Sequence, residues 1–306
     1  MALWITGARN RQALCVEGGR IAAEARRPPQ GSETLDAGGL LLLPAFIDAH
    51  VHLSLLARAP RAFLKNGVAA VLDLGAPERA LPFSEAEPLR VRFSGPLLTA
   101  PRGYPTQSWG RDGYGLEVAS EKEARAAVER LALSGARFLK LAFDPRYPLL
   151  APEAARAAAD EAHRRGMLVA AHALDADSVR RALAAGADVF AHAPLEAVPL
   201  PGKWVISTLR AFGGTVRGLG ARVVYGTDLG NEDTSPAIDA RELALLERDG
   251  IDPLRAATAD AAELLGYPDL GRLSVGSSAS LLAVRGLDAE SLANPAWVMN
   301  CGTLCL

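Results

Sequence analysis

The pattern of apolar and polar positions divides the chain into three stretches. In the first forty residues, apolar positions fall in short runs between polar turns, which predicts strands. These predicted strands are Leu3–Thr6, Gln12–Val16 and Gly19–Ala23. From Leu41 onward, brief apolar runs alternate with Ala-, Arg- and Glu-rich stretches of helical period, which is typical of βα units. Strand patterns return over 272–285 and 297–306, so we expect the two termini to share a small β-domain.

Eight apolar runs in the middle stretch fit the strands of an α/β fold, a closed parallel (β/α)8 TIM barrel. They are Phe46–Leu53, Val68–Leu74, Val91–Leu98, Arg137–Phe143, Met167–Ala173, Val189–Ala193, Trp204–Leu209 and Val223–Thr227. Helical patterns cover 121–134, 152–165, 238–248 and 253–265. The connection at 210–221 is too short for a full crossover helix, and its glycines predict an irregular link.

Composition and charge narrow the classes of partner. The 306 residues are 49% hydrophobic and 22% charged, which is ample for a packed core, and the formal net charge is −2. Such a chain offers no basic field for nucleic acid or anionic lipid, so we expect neither nucleic acid nor membrane as a partner. The start has no leader-like apolar segment, which predicts a cytoplasmic protein. The three cysteines form no close CxxC pair, so we expect them to be packing residues. The sequence leaves open whether the protein forms a homo-oligomer.

Polar residues with metal-binding side chains recur at the ends of the predicted barrel strands, which is the catalytic face of such a barrel. They are His50, His52, Lys140, His172, His192 and Asp228. Side chains alternate along a strand, so His50 and His52 can both point inward while Val51 points outward. His163 is the only histidine that ends no strand, and we place it on a helix surface. A single histidine at a strand end would more simply be a core residue, but four of them together with Asp228 predict a divalent metal site.

These residues and their flanking text resemble the amidohydrolase superfamily, especially its imidazolonepropionase-like and prolidase-like members. The similar segments are Leu43-Pro-Ala-Phe-Ile-Asp-Ala-His-Val-His52, Val169-Ala-Ala-His172, Tyr225-Gly-Thr-Asp228 and Ala257-Thr-Ala-Asp-Ala-Ala-Glu-Leu-Leu-Gly266. The resemblance covers nearly the whole chain. It implies a metal-dependent hydrolase barrel over 43–270 and a β-sandwich built from 1–42 and 271–306. It also implies one or two divalent ions, expected to be zinc.

Three departures from the family pattern concern the substrate more than the chemistry. Relatives often have His-Ala-His-Gly after the fifth strand, where this chain has His172-Ala-Leu-Asp175. They often have Gly-Gly-His after the third strand, where this chain has Gly103-Tyr-Pro105. Near the C-terminus, Ala279-Ser-Leu281 replaces Ala-Asp-Leu. The substrate of a relative therefore cannot be transferred to this chain.

The predicted site implies hydrolysis by activated water. A divalent ion held by imidazoles and a carboxylate lowers the pKa of bound water, so hydroxide is the expected nucleophile. Asp228 is the expected general base, which takes a proton from the water and passes it to the leaving amine; its alternative role is to cap a backbone turn. His192 either binds a second ion or donates a hydrogen bond to the oxyanion of the tetrahedral intermediate.

The segment Pro101–Gly115 is a candidate substrate loop. It carries Arg102, Tyr104, Trp109 and Arg111 among glycines, a composition that suits a loop over the pocket. In that position Arg111 or Arg102 would bind a substrate carboxylate through paired hydrogen bonds. The alternative is a solvated surface loop.

Lys140 ends the run Ala136-Arg-Phe-Leu-Lys and shares its side of the strand with Phe138. An ammonium there would be buried beside a cationic metal, which favours the neutral amine. A neutral amine can add carbon dioxide, and the carbamate would bridge two ions. Prolidase-like relatives have a similar Phe-Ile-Lys at their fourth strand, which supports that role. The alternative is a lysine that reaches solvent or pairs with Asp144.

The leading hypothesis is hydrolysis of a C–N bond in a small-molecule amide, cyclic amide or dipeptide-like substrate, with ester or lactone hydrolysis as a chemical neighbour. Deamination ranks lower, because deaminases of this superfamily usually carry a Glu shortly after the strand-five His, where this chain has Asp175. A third alternative is a silent barrel in which metal only stabilises the fold. A complete ligand set argues against it, since a structural site needs no open position.

Overall fold

The structure is a computed structural model that describes residues 2–56, 59–83, 88–230 and 235–305. Its N-terminal part consists of five short strands. They are β1 (Leu3–Thr6), β2 (Ala13–Glu17), β3 (Arg20–Ala25), β4 (Glu33–Asp36) and β5 (Leu41–Pro44). The first four form one sheet in the order β3-β2-β1-β4. The β4 strand has no apolar alternation, so the sequence pattern did not predict it.

Ten further strands form the central parallel sheets. They are β6 (Phe46–Val51), β7 (Val68–Asp73), β8 (Arg90–Phe93), β9 (Leu97–Thr99), β10 (Gly115–Glu117), β11 (Phe138–Ala142), β12 (Leu168–His172), β13 (Val189–Phe190), β14 (Trp204–Ile206) and β15 (Arg222–Val224). The sheet orders are β6-β7-β8 and β10-β9-β11-β12-β13-β14-β15. Their apolar runs are buried on both faces, as expected of parallel strands covered by helices.

Helices lie between and after these strands. They are α1 (Ala59–Lys65), α2 (Glu121–Leu133), α3 (Pro152–Arg164), α4 (Ala176–Ala185), α5 (Leu209–Phe212), α6 (Ala240–Arg248), α7 (Pro253–Ala257), α8 (Ala259–Leu265) and α9 (Ala289–Ala293). The irregular link predicted at 210–221 is confirmed, since α5 has only four residues. The single helix predicted over 253–265 is divided at Thr258 into α7 and α8.

Several predicted strands of the central region extend beyond the observed ones, and in two of them a turn explains the difference. The run Val91–Leu98 is divided between β8 and β9, which belong to different sheets, because Gly95 has a positive φ of 76° and is followed by Pro96. The run Trp204–Leu209 ends at Ile206, since Thr208 turns the backbone with a φ of 41° and Leu209 begins α5.

Backbone hydrogen bonds join the two parallel sheets at both margins. On one side the amide of Ala49, in β6, donates to the Tyr225 carbonyl just after β15, at 3.0 Å. On the other side the amide of Arg137 donates to the Phe93 carbonyl at the end of β8, at 3.1 Å. The chain therefore has an α/β fold with two central parallel sheets that backbone hydrogen bonds connect.

The chain's last strands are β16 (Leu281–Val284), β17 (Trp297–Asn300) and β18 (Thr303–Cys305). They form a sheet with the N-terminal strand β5 in the order β18-β17-β16-β5. The strand pattern at 272–285 was too long, since β16 covers only Leu281–Val284. The pattern at 297–306 is divided into β17 and β18 because Gly302 turns the chain, and Leu306 lies outside the described residues. No helix in the described part of the chain is long and apolar enough to cross a membrane.

Candidate metal centre

The strand β6 brings His50 and His52 into one cavity. Its register with β7 shifts between Asp48 and Val51. Before the shift, Ile47 and Ala49 pack into the apolar cluster enclosed by the strands and α8. After it, Val51 packs into the outer core against the helices while both histidines line the cavity. The predicted inward direction of these two side chains is therefore confirmed.

Three of the predicted ligands lie within direct reach of one another. The Nε2 atoms of His50 and His52 lie 3.0 Å and 3.2 Å from the same oxygen, Oδ1 of Asp228. Asp228 follows β15 in the left-handed region, with φ 55°, which aspartate tolerates better than most residues. All three side chains are buried. Among the described residues, this trio forms a group whose ligand atoms can share one ion.

The hydrogen bonds that the two imidazoles make through Nδ1 leave each Nε2 without a hydrogen to donate. Nδ1 of His50 lies 2.9 Å from the Ala191 carbonyl, and Nδ1 of His52 lies 3.1 Å from the Gly75 carbonyl. A carbonyl only accepts, so each Nδ1 carries the hydrogen and each Nε2 presents a lone pair. Nε2 of His50 is buried and makes no hydrogen bond. Lone pairs facing a carboxylate oxygen require a cation between them, so these residues fit a divalent metal.

Electrostatics act differently on the three groups. Burial, followed by the Lys140 charge, lowers the pKa of His50 to about 4, so this ring is neutral at pH 7. Burial also lowers the pKa of His52, but the Asp228 carboxylate outweighs that effect and raises it overall. Burial alone would raise the pKa of Asp228, yet the two rings hold it well below its usual range. The aspartate is therefore ionised.

His172 and His192 line the same cavity but contact each other. Nδ1 of His172 lies 3.0 Å from Nε2 of His192, and Nδ1 of His192 lies 3.0 Å from the hydroxyl of Thr208. The His192 ring is 4.8 Å from that of His50 between centroids. Burial, followed by the Lys140 charge, lowers the pKa of His172 to about 3. Both rings are therefore neutral and stand beside the trio, where their metal roles remain predictions.

Lys140 lies inside the protein rather than at its surface. Its side chain lines the cavity and is 1% exposed, while Phe138 on the same side of β11 packs in the enclosed apolar cluster. Burial lowers the pKa of Lys140 to about 7, against the opposing effect of Asp228. The alternative pairing with Asp144 is wrong, because Arg146 holds that carboxylate at 2.7 Å. Snorkelling to solvent is excluded by the same burial.

The predicted substrate loop is divided between cavity and solvent. Tyr104 and Trp109 line the cavity, and the indole N–H donates to the Tyr104 hydroxyl at 2.9 Å. Arg102 and Arg111 are exposed and do not line it. The backbone amide of Arg102 instead donates a hydrogen bond to the Glu117 carboxylate, at 2.9 Å. The expectation that an arginine of this loop faces the pocket is therefore wrong for this structure.

Several buried residues that hold the ligands escaped the sequence analysis. Asp48 accepts hydrogen bonds from the amides of His50 and Thr227, and from the Thr227 hydroxyl at 2.6 Å, so it ties β6 to the turn that carries Asp228. Asp73 accepts from the amides of Leu53 and Gly75, which flank the His52 contacts. The sequence feature that could have identified Asp48 and Asp73 is an acidic residue within a strand that is otherwise apolar.

Two further polar residues considered from the sequence, Asp175 and His163, have local structural roles. Asp175 caps α4, since its carboxylate accepts the amides of Asp177 and Ser178 at 3.0 Å and 2.9 Å. His163 lies on α3, is partly exposed and contacts Asp188 at 2.8 Å, which confirms its placement away from the site. Neither residue lines the cavity.

Comparison with known proteins identifies the family of this chain. The sequence profile of the amidohydrolase family matches residues 41–200. An uncharacterized protein of Mycobacterium tuberculosis is 30% identical over 197 residues, which are 58% of this chain and 50% of the relative. The chain thus spans about half the length of the curated relatives it matches.

Two solved structures extend the likeness to nearly the whole chain. A Bifidobacterium longum protein assigned as a prolidase is 27% identical, with a TM-score of 0.80 over 99% of this chain and 94% of that one. A prolidase complexed with N-methylphosphonate-L-proline is 22% identical, with a TM-score of 0.79 over 99% of each chain. At that identity the second likeness speaks for the fold alone.

Proposed function

Because this chain belongs to the amidohydrolase family, and is thus a hydrolase of that superfamily, we propose that it is a metal-dependent enzyme that cleaves a C–N bond in an amide, cyclic amide or dipeptide-like substrate. One observation carries the proposal. The Nε2 atoms of two imidazoles lie within 3.2 Å of the same ionised carboxylate oxygen, and all three side chains line one cavity. That donor set suits a divalent ion such as zinc.

His50, His52 and Asp228 would hold the ion, with His172 and His192 as further donors from the same cavity. When bound, a divalent ion polarises the scissile carbonyl and makes water acidic enough to attack at neutral pH. Asp228, kept ionised by its neighbours, accepts the proton of the attacking water through a carboxylate oxygen. It then gives this proton to the leaving nitrogen, which departs as a neutral amine.

His192 would stabilise the oxyanion of the tetrahedral intermediate in the one-ion form of the enzyme. Its Nδ1 contacts the Thr208 hydroxyl, and when that hydroxyl accepts a hydrogen bond Nε2 carries no hydrogen. Because Nε2 also lies 3.0 Å from Nδ1 of His172, it would have to give up that contact to bind metal or an oxyanion. When the Thr208 hydroxyl donates instead, Nε2 carries the hydrogen and can donate to an oxyanion. The two roles of His192 are thus tied to the direction of one hydrogen bond.

Lys140 would be carboxylated in a two-ion form. A buried amine with a pKa of about 7 is partly unprotonated at neutral pH, so its nitrogen can attack carbon dioxide. A C–N bond forms, a proton is released, and the neutral amine becomes an anionic carbamate. This replaces a buried cation among candidate metal ligands by two oxygen donors.

The architecture proposed with this function is a closed barrel flanked by a sandwich. The backbone bonds of Ala49 and Arg137 join the two parallel sheets, which supports closure over residues 43–270. A shared apolar cluster of Ile5, Leu14 and Met299 lies between the two four-stranded sheets, which supports a β-sandwich of 1–42 and 271–306.

The alternatives are less well supported. Deamination would need an acid beyond β12, and Asp175 is engaged as the cap of α4. Ester or lactone hydrolysis needs the same groups and stays a chemical neighbour. A silent barrel would leave the ionised Asp228 and the cavity beside it without a role.

The decisive experiment combines metal counting with a single substitution. Metal-loaded protein is screened on N-acyl amino acids, dipeptides, simple amides and lactones. We expect Asp228→Asn to keep the fold and much of the metal and to lower turnover by roughly a hundredfold or more, the scale of a lost general base. Unchanged turnover in a metal-loaded variant would remove Asp228 from the mechanism. Metal without turnover across the whole panel would favour the silent barrel.

A further inference from the structure

One wall of the catalytic cavity is apolar and aromatic. The side chains on it are Leu55, Leu97, Tyr104, Trp109 and Phe212. The same cavity is also lined by the candidate ligands, which are the histidines His50, His52, His172 and His192 together with Lys140 and Asp228. The whole cavity encloses about 200 Å³, which limits it to small substrates.

The aromatic rings of this wall lie directly on the candidate ligands. Tyr104 stacks on His172 with ring centroids 4.6 Å apart and an interplanar angle of 22°. Trp109 meets His52 edge-on at 5.1 Å, and Phe212 lies 4.2 Å from the His192 ring. A substrate whose scissile bond reaches Asp228 must therefore place a neighbouring group against aromatic faces.

Cationic partners for a substrate carboxylate are missing from this wall, as far as the described lining residues go. Lys140 lines the cavity among the candidate ligands, close enough to Asp228 and Asp73 for their charges to affect its pKa. Arg146, beside the Tyr147 ring that contacts Tyr104, is held by Asp144 at 2.7 Å. Arg102 and Arg111 are exposed outside the cavity.

We propose that this wall selects small neutral amides that carry a flat aromatic or apolar group, and that it discriminates against substrates with a free carboxylate beside that group. The inference rests on the proposed C–N hydrolysis and names its substrate class. A carboxylate placed against Trp109 and Phe212 would lose its water without gaining a charged partner, and that loss is far greater than the gain from packing. A neutral ring of the same shape loses little water and keeps the aromatic contacts.

The test uses pairs of substrates in which one member carries a carboxylate that the other lacks. Metal-loaded enzyme is assayed on acetanilide and 4-acetamidobenzoate by release of the aromatic amine, and on hippuramide and hippurate by release of benzoate. We expect kcat/KM to be at least about tenfold higher for the neutral member of each pair. Titration calorimetry on chelator-treated protein should show the same preference for benzamide over benzoate, independently of turnover.

Substitutions at Trp109 and Leu55 should change the preference between neutral and carboxylate substrates. Trp109→Ala should lower kcat/KM for acetanilide several-fold, while Trp109→Phe retains most of it. Leu55→Arg places a cation on the same wall at a half-exposed position, 42% accessible, and should raise kcat/KM for 4-acetamidobenzoate. Leu133→Ala, at a position 79% exposed on α2, is the control and should leave both pairs unchanged.

The outcomes separate this inference from the proposed function. Equal or faster cleavage of the carboxylate members, or cleavage confined to dipeptides and N-acyl amino acids, would overturn the selectivity and leave C–N hydrolysis standing. Benzoate binding as tightly as benzamide would overturn it as well. If no C–N substrate is cleaved but benzamide still binds selectively, the proposed reaction fails while the character of the wall is supported.

Discussion

Asp228, His50 in β6 and His52 just after it show how backbone contacts decide side-chain chemistry. The carbonyls of Ala191 and Gly75 fix the hydrogen of each ring on Nδ1, so the ring nitrogens that face Asp228 are bases. Two bases and a carboxylate at 3.0–3.2 Å repel one another unless a cation joins them. A bound metal would therefore also be a structural element of the folded site.

Removal of one of these rings should reduce metal content before it affects the fold. We expect His50→Ala to lose most of its bound metal, because one of three closely spaced donors disappears. His163→Ala is the matched control, since that histidine lies on α3 and contacts only Asp188 among charged groups. Metal analysis after dialysis measures both variants. Full metal content in His50→Ala would disprove the ligand assignment.

The state of Lys140 can be tested directly. Protein grown with added bicarbonate and metal should show a carbon dioxide adduct on Lys140 by native mass spectrometry and two ions per chain. Because the pKa of Lys140 is about 7, the neutral amine that adds carbon dioxide is the major form only above that pH. Adduct formation by metal-free protein should therefore fall below about pH 7. One ion per chain, an unmodified lysine and an active Lys140→Ala variant would together contradict the two-ion form.

At the level of elements, the turn between β14 and α5 positions His192. Thr208 holds a left-handed φ of 41°, which is unusual for a β-branched residue, and its hydroxyl contacts His192. The buried carboxylate of Glu242, on α6, accepts the amides of Leu209 and Arg210 at 2.9 Å and 2.7 Å. The strained turn is thus held by a side chain from a helix that is distant in sequence.

Glu242→Ala should destabilise the protein by about 2 kcal/mol, because two amides at the start of α5 lose their acceptor. Glu242→Gln keeps one oxygen and should lose clearly less. Urea unfolding measures the stability, and kcat of the metal-loaded variants reports whether His192 is displaced. Equal stability of the alanine variant and the wild type would show that water replaces the carboxylate.

These elements also show what the sequence could and could not predict. A ligand at the end of an apolar run is visible because the run ends in a polar residue, as at His172 and Asp228. The same rule applied after Ile206 would have found Thr208. Glu242 could not be found this way, because its role depends on how α6 packs. The division of Val91–Leu98 was missed because an apolar run does not reveal that its two halves pair with different sheets.

Across the whole molecule, the chain ends are connected to the catalytic region through β5 and β6. Strand β5 pairs with β16 in the C-terminal sheet, and only Ala45 separates it from β6, which carries His50. The two terminal sheets share an apolar cluster that includes Leu42 and Leu281. Packing of the terminal sheets therefore fixes the start of the strand on which the first ligands lie.

Asp269 links the central sheets to the N-terminal sheet through ion pairs. It contacts Arg90, in β8, through two hydrogen bonds of 2.6 Å and 2.8 Å, and lies 3.5 Å from Arg20, in β3. Hydrogen bonding to Arg90 lowers the pKa of Asp269, against a smaller opposing effect of burial. A lowered carboxyl pKa means that the ionised form stabilises the fold.

We expect Asp269→Asn to reduce the free energy of unfolding by about 1 kcal/mol at pH 7, the upper range for a partly exposed pair. The stabilisation by Asp269 is present above the unfolded carboxyl pKa near 4 and is lost as the pH falls through the lower folded value. The difference between wild type and variant should therefore shrink below about pH 4. Glu247→Gln, at an exposed position of α6, is the control and should change stability by less than about 0.5 kcal/mol. Urea titrations from pH 3 to pH 8 measure both variants, and a difference that does not depend on pH would assign the effect of Asp269 to packing instead of charge.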